Sequence, residues 1–262
     1  MRNISIQEEK GIFSKKVPQQ KFAVELAMSK AGYQFCQTSS VFQTPKVRHQ
    51  SPANNQIDFE FIAGITLREH LVSETKIYTS QQSESQLIEL FTSLGKGLAE
   101  LHQSDAFETV EKRGFPSTLE IPQHHEKVYL HGDFTLRNIM WFEDKPWIID
   151  WSISPIFTNP VNHGSRYWDI SFFLSSLFYF SFTTFFTGKT KNKLASAFLQ
   201  AYYTEAGVQE VEFKKELRAF IQTHNYYELY QELNSKKSFI NRLLDKHAKK
   251  KLLQFVVGQF TL

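Results

Sequence analysis

A short hairpin is the strongest constraint in this chain. Ile139-Met140-Trp141-Phe142 and Trp147-Ile148-Ile149-Asp150 are strand-like apolar runs separated by Glu143-Asp144-Lys145-Pro146. So short a connection permits only antiparallel pairing. A tight hairpin returns the chain to its start, so Asn138, just before the first run, and Asp150, closing the second, become neighbours. Two oxygen donors side by side, one of them charged, suit Mg²⁺, which takes a few protein oxygens and completes its shell with water and phosphate. Asp133 lies just upstream in His131-Gly132-Asp133-Phe134-Thr135-Leu136-Arg137-Asn138, placed to accept a proton from an attacking hydroxyl. A carboxylate that ends a run as apolar as Trp-Ile-Ile is hard to explain as structure alone.

The rest of the chain divides around that hairpin. Before it come strand-like pieces at Ile4–Ile6, Ile12–Val17, Val41–Phe42 and Ile57–Ile62, with one helix from about Lys21 to Ala31 ended by Gly32. The polar patch Thr79–Gln86 reads as a loop and N-cap. From Gln86 to Gln103, apolar residues at Leu87, Leu90, Phe91, Leu94, Leu98 and Leu101 trace one helical face. A strand is expected at Lys127–Leu130, and from Trp168 onward the pattern is helical almost to the end. A small sheet-rich part followed by a larger helical part makes an α+β, two-lobed arrangement.

Composition narrows the class. The single cysteine, Cys36, excludes an internal disulfide framework and reads as a small buried hydrophobe. Met1–Lys10 contains no apolar segment of secretory type, so the expected compartment is the cytoplasm. Ser171–Gly188 is uncharged and just long enough to be a membrane candidate, but serines and threonines interrupt it and phenylalanine supplies its bulk, as in a buried helix. The formal charge of +3 is uneven: Lys236–Lys251 carries +6, leaving a mildly acidic body. No nucleic-acid partner is expected from that distribution. The basic segment reads as the solvated face of a helix whose Leu243, Leu244, Leu252, Leu253 and Phe255 pack inward, with contact to an anionic membrane surface as the alternative.

His-Gly-Asp-x4-Asn followed by Ile-Ile-Asp-Trp resembles the catalytic and metal loops of the protein-kinase-like superfamily, closest to the aminoglycoside phosphotransferase and choline kinase group. Three further segments match in order. Phe59-Glu60-Phe61-Ile62-Ala63-Gly64 resembles the inter-lobe hinge, Leu94–His102 the long helix ahead of the catalytic loop, and Tyr167-Trp168-Asp169-Ile170 the element whose Asp braces that loop. The resemblance implies a two-lobed kinase-like fold with a short β-rich N-lobe and hinge over residues 1–62 and a helical C-lobe over 63–262. It implies ATP as phosphoryl donor and Mg²⁺ as cofactor, with Asp133 orienting the acceptor hydroxyl and Asn138 and Asp150 holding the metal. Glu60 and Ile62 would meet adenine through their backbone, and His131 and Asp169 would brace the loop.

Kinases of this kind pair a strand lysine with a helix glutamate to hold phosphates. Glu25 fits the glutamate. Lys15 and Lys16 both fit the lysine: apolar Phe13 and Val17 share a strand face with Lys15, whereas Ser14, a small residue where adenine would lie, favours Lys16. The preference falls slightly on Lys16. No Gly-x-Gly-x-x-Gly precedes the strand. Gly132 replaces the arginine found in many protein kinases, and Asp150 is followed by Trp151, without an Ala-Pro-Glu element downstream. The expected acceptor is therefore a small hydroxylated metabolite. A sugar of a lipid-linked or envelope glycan and a nucleotide-binding scaffold without turnover are the alternatives. Glu205–Glu232 and Tyr167, Trp168, Tyr202, Tyr203, Tyr226, Tyr227 and Tyr230 could serve an acceptor site or simple packing, and His124-His125 reads as solvated.

Overall fold

The computed structural model describes residues 4–75, 81–115, 126–151, 159–179, 188–224 and 239–258. Strands β1 (Ile4–Gln7), β2 (Ile12–Lys16), β3 (Val47–Ser51) and β4 (Gln56–Glu60) form an antiparallel sheet in the order β1-β2-β4-β3. Gly11 turns β1 into β2 with a left-handed backbone at φ 61°. Phe13 stands opposite Phe59, and Lys15 opposite Ile57. The two-residue side-chain period therefore puts Phe13 and Lys15 on one face, the face that lines the main cavity.

Helix α1 (Gln19–Thr38) follows Pro18. Its buried positions Phe22, Glu25, Met28, Gly32, Phe35 and Cys36 recur at spacings of three and four. Contrary to expectation, α1 does not end at Gly32. A Cβ there would lie 2.4 Å from Trp151 Cε2, so Gly32 makes room for an indole and does not cap the helix. Burial pushes the Cys36 thiol up, as for an inert core residue. Val41–Phe42 is likewise not a strand; neighbouring Gln43 makes a single parallel bridge to Trp147. β4 stops at Glu60, short of the expected Ile62.

Strand β5 (Ile65–Thr66) joins the hairpin β7 (Ile139–Phe142) and β8 (Lys145–Ile148), while β6 (Lys127–Tyr129) pairs with β9 (His163–Ser165). The hairpin connection is shorter than the expected four residues: only Glu143 and Asp144 turn the chain, at φ 49° and 55°. Pro146 belongs to β8, opposite Trp141. The remaining helices are α2 (Leu67–Thr75), α3 (Gln81–His102), α4 (Tyr167–Tyr179), α5 (Gly188–Glu205), α6 (Glu210–Thr223) and α7 (Phe239–Val257). α3 thus starts inside the polar patch expected to be a loop. α3 and α5 approach so closely at Gly95 that a Cβ would stand 2.1 Å from the Phe198 carbonyl oxygen.

The phenylalanine excess has a place in this core. The Phe173 ring on α4 lies 5.4 Å from Phe134 of the His131–Asn138 loop, 5.6 Å from Phe91 on α3 and 4.3 Å from Phe198 on α5. Each such ring, fully buried, contributes about 1.5–3 kcal/mol. One side chain thereby ties the loop to both long helices. Among the described residues no helix is long and apolar enough to cross a membrane. The described part of α7 buries Ala248, Leu252, Phe255 and Val256 and exposes Lys246, Lys250 and Lys251, an amphipathic helix with Leu253 half-buried. The side chains of Lys236, Lys237, Arg242, Leu243 and Leu244 lie outside the described residues, as do His124, His125, Tyr226, Tyr227, Tyr230, Glu228, Glu232 and residues 180–187.

Candidate active site

Three elements converge on Lys15. Its Nζ donates to Glu25 Oε1 from α1 and, at 2.8 Å, to Asp150 Oδ1 beyond β8. Lys15 and Glu25 are buried. Burial pulls the Lys15 ammonium down, but Asp150 and then Glu25 outweigh it, and the group is held above its ordinary value. Lys16 points to the opposite face and is exposed. Lys15, and not Lys16, thus pairs with Glu25 and lines the cavity. Phe13, on the same strand face as Lys15, forms part of the cavity wall. Asp150 itself sits at φ 61°, a left-handed conformation that Asp tolerates better than most residues and that bends the chain out of the strand.

The loop from His131 to Asn138 is held from both ends. Asn138 Nδ2 donates to the Asp133 carbonyl at 2.9 Å and to Asp133 Oδ2 at 2.8 Å. Both partners are acceptors, so the amide nitrogen faces Asp133 and Oδ1 is left for another ligand. The Ile149 N–H donates to the Asn138 carbonyl at 3.0 Å, which locks Asn138 beside Asp150, as the hairpin argument requires. Asp169, in the first turn of α4, accepts from the His131 N–H at 2.7 Å and the Gly132 N–H at 3.0 Å. Gly132 has φ 83°, a position that side chains rarely adopt. His131 Nδ1 accepts from the Asp133 N–H at 3.2 Å, so its proton resides on Nε2, which donates to the Ile149 carbonyl at 3.0 Å.

Two contributors were not singled out from the sequence. His102, at the end of α3, donates from Nε2 to Asp169 Oδ2 at 3.2 Å and accepts at Nδ1 from the Tyr202 hydroxyl at 2.7 Å. Thr44 donates to the Ile148 carbonyl at 2.7 Å and accepts from Trp151 Nε1 at 3.1 Å. His102 ends a helix already recognised by its apolar face, but its partners come from residues far along the chain. Thr44 lies in irregular backbone and carries no local signal.

Burial holds both His102 and His131 below the ordinary histidine value of 6.5, despite the nearby Asp169 carboxylate. The folded state binds these protons less readily than the unfolded chain does. Their stabilisation is complete above about pH 6.5 and is lost as pH falls towards the folded values, at up to about 1.4 kcal/mol per pH unit for each ring. Denaturant unfolding at pH 5.0, 6.0 and 7.5 is expected to show this slope. His102→Gln, which keeps a donor for Asp169 without a titrating ring, is expected to flatten it. A slope unchanged in the variant would remove His102 from the account.

A cavity of about 470 Å³ opens beside Lys15 and Asp150, lined by these two and by Phe13, Phe59, Ile62 and Met140. Its volume is that of an ordinary small-molecule site. The Glu60 side chain pairs with Arg48 at 2.9 Å, and Glu60 also lines the cavity. The Phe61 N–H is taken by the Gly11 carbonyl at 2.9 Å, whereas the Ile62 N–H has no partner among the described residues. No group of three or more His, Cys, Asp or Glu that could hold a metal occurs among the described residues. Asn138 Oδ1 and Asp150 fit a hard cation as a partial oxygen set that phosphate oxygens and water would complete.

No protein-family model and no curated protein matches this sequence. Solved structures do. A choline/ethanolamine kinase family protein from Mesorhizobium loti aligns over 95% of this chain and 86% of its own, at TM-score 0.54 and 14% identity. The amicoumacin kinase hAmiN, solved with AMP-PNP, Ca²⁺ and Ami, aligns over 93% and 81% at TM-score 0.56 and 11% identity. A thermostable mutant of the aminoglycoside phosphotransferase APH(4)-Ia aligns over 98% and 94% at TM-score 0.53 and 13% identity. At such identities the likeness establishes the fold: this chain has the kinase-like α+β fold of these proteins.

Proposed function

We propose that this protein is an ATP- and Mg²⁺-dependent phosphotransferase acting on a hydroxyl of a small metabolite. The observation that carries the reading is an apolar cavity lined by Lys15 and Asp150, with Lys15 bonded to Glu25 and to Asp150, and with the Asp133–Asn138 loop tied next to Asp150 by the Ile149 N–H to Asn138 carbonyl bond. The apolar walls take adenine, and the Ile62 N–H and Glu60 carbonyl meet its edge. Lys15, fixed by Glu25, holds phosphate oxygens at the polar end. Asn138 Oδ1 and Asp150 hold Mg²⁺, which when bound neutralises charge on the phosphates. Asp133 accepts the hydrogen bond of the acceptor hydroxyl, aligns its oxygen with the terminal phosphorus and takes the proton as the new P–O bond forms and the bond from that phosphorus to the bridging oxygen breaks, ADP leaving with that oxygen. This work is positioning and charge neutralisation, and it needs no covalent intermediate on the protein.

The decisive experiment measures Mg-ATP binding to the full chain by calorimetry and ADP release across a library of alcohols, sugars and amino alcohols. Mg²⁺-dependent binding and acceptor-stimulated release are expected, both abolished in Asp150→Asn. An unchanged rate in that variant would take Asp150 out of the site. Binding without release towards any acceptor would favour the scaffold reading.

A further inference from the structure

Among the described residues, Lys15 and Lys191 are the buried lysines, and they differ in one respect. Lys15 is held between two carboxylates. Lys191 has none. The core-facing stripe of α5 is Leu194, Ala195, Phe198, Leu199 and Tyr202, all buried, at helical spacings of three and four. Lys191 takes the next position of that stripe towards the N-terminus, where the pattern calls for an apolar side chain. It is 2% exposed, and lysine is almost never buried so far without a partner. Yet its Nζ has no hydrogen-bond partner among the described residues. Burial alone holds the ammonium down at about 8, with no carboxylate among the described residues raising it.

The surroundings add positive charge. The first N–H groups of a helix lack intrahelical acceptors and form the positive pole of its dipole. Acidic side chains favour that position, but the first turn of α5 has none. The Cα–Cβ bonds of a helix lean towards its N-terminus, so the Lys191 stem sets out towards this same turn. Helix α3 contributes a second pole. α3 and α5 run parallel, since Glu84 pairs with Lys193 at 2.9 Å near their starts and Gly95 meets Phe198 further along. Glu84, the acidic residue in the first turn of α3, is taken by Lys193. An unpaired charge taken out of water is costly, and a methionine of similar length would serve the core better. A helix N-terminus with a buried ammonium leaning towards it suits an oxyanion, which accepts from both.

We infer that Lys191 and the first turn of α5 bind a small oxyanion, a phosphate or a carboxylate group, with Nζ and the N–H groups of that turn as donors. Lys191 does not line the cavity given to the nucleotide, so this site stands apart from the phosphotransferase reading. The test is urea unfolding of the full chain in phosphate, in acetate and in chloride at matched ionic strength, for wild type, Lys191→Met and Lys191→Arg. A ligand of the folded state raises the midpoint with the logarithm of its concentration above Kd. That rise is expected for wild type in phosphate or acetate beyond any effect of chloride, and the stronger of the two identifies the group.

In Lys191→Met the affinity behind the rise is expected to fall roughly 10- to 100-fold, as for loss of a charge-assisted hydrogen bond. Lys191→Arg, which keeps the charge, should retain part of it. An anion held anywhere else, beside Lys15 included, would persist in Lys191→Met. In chloride alone Lys191→Met is expected to be at least as stable as wild type, because it removes an uncompensated charge and keeps the length of the stem. An oxyanion effect equal in wild type and Lys191→Met, or none beyond chloride in wild type, overturns the site. A Lys191→Met protein that fails to fold, or is much less stable than wild type in chloride, also overturns it, since the ammonium would then be serving a partner within the chain.

Discussion

Lys15→Ala is expected to destabilise the protein by about 3–5 kcal/mol, the usual cost of removing one partner from a buried charge cluster. Replacing neighbouring Lys16 with alanine should stay within about 0.5 kcal/mol, as for an ordinary surface change. Adjacent residues of the same type differ so much because of the strand period. The Lys15 and Glu25 side chains are 4% and 1% exposed, while Asp150, at 16%, still meets solvent. Removing the ammonium takes the shared cation from two carboxylates, one of which, Glu25, is almost wholly buried. Lys15→Met has the same defect, because the missing charge and not the missing volume is responsible. Combining Lys15→Met with Glu25→Gln should recover much of the loss, since only the more exposed Asp150 then lacks its cation. Urea unfolding of the four variants tests the cluster, and calorimetry with Mg-ATP tests its role. Nucleotide affinity should fall roughly 10- to 100-fold in Lys15→Ala, as expected for a lost charge-assisted hydrogen bond, and should hold in Lys16→Ala. A larger loss in Lys16→Ala would overturn the assignment.

The lysine ambiguity shows where the sequence is legible and where it is not. Alternation told that Lys15 and Lys16 face opposite ways, but not which face of β2 meets the cavity, because pairing with β4 and the approach of α1 decide that. The same limit explains Gly32. Read locally, glycine after a run of helix formers is a stop signal. The helix continues because Phe35 and Cys36 are buried further along it, which offsets the cost of about 1 kcal/mol for an internal glycine. Only the arrival of Trp151 gives that glycine its purpose.

The hairpin was legible as a pairing because apolar runs and a short polar break are local signals. Its turn was not, because Glu143 and Asp144 replace the Asn-Gly that usually marks left-handed pairs, and Pro146 looked like a turn residue. Pro146 is tolerated in β8 because it stands at the wide pair next to the turn pair Phe142–Lys145, where no N–H need point at β7. The nearness of the candidate residues was more legible than the strand boundaries. Asp133, Asn138 and Asp150 are tied by short separations and one hairpin, whereas His102 and Thr44 acquire their neighbours only when distant segments pack.

Asp133→Ala should lower turnover by roughly 10²–10⁴, the contribution of a positioned acid or base, while Mg-ATP affinity and the unfolding midpoint stay near those of the parent. The separation is expected because most of the bonds that shape the loop do not use that carboxylate. Asp169 holds the His131 and Gly132 amides, His131 holds the Asp133 N–H, and the Asn138 amide keeps its bond to the Asp133 carbonyl when the side chain is gone. Asp169→Ala should behave differently. It leaves two buried loop N–H groups and the His102 Nε2–H without their acceptor, at about 1–3 kcal/mol for each group left unsatisfied. Stability and turnover should therefore fall together in Asp169→Ala, and turnover alone in Asp133→Ala. Single-turnover kinetics beside urea unfolding separate the two patterns. If Asp133→Ala loses stability as Asp169→Ala does, Asp133 is a structural member of the loop; if its turnover holds, another group takes the acceptor's proton.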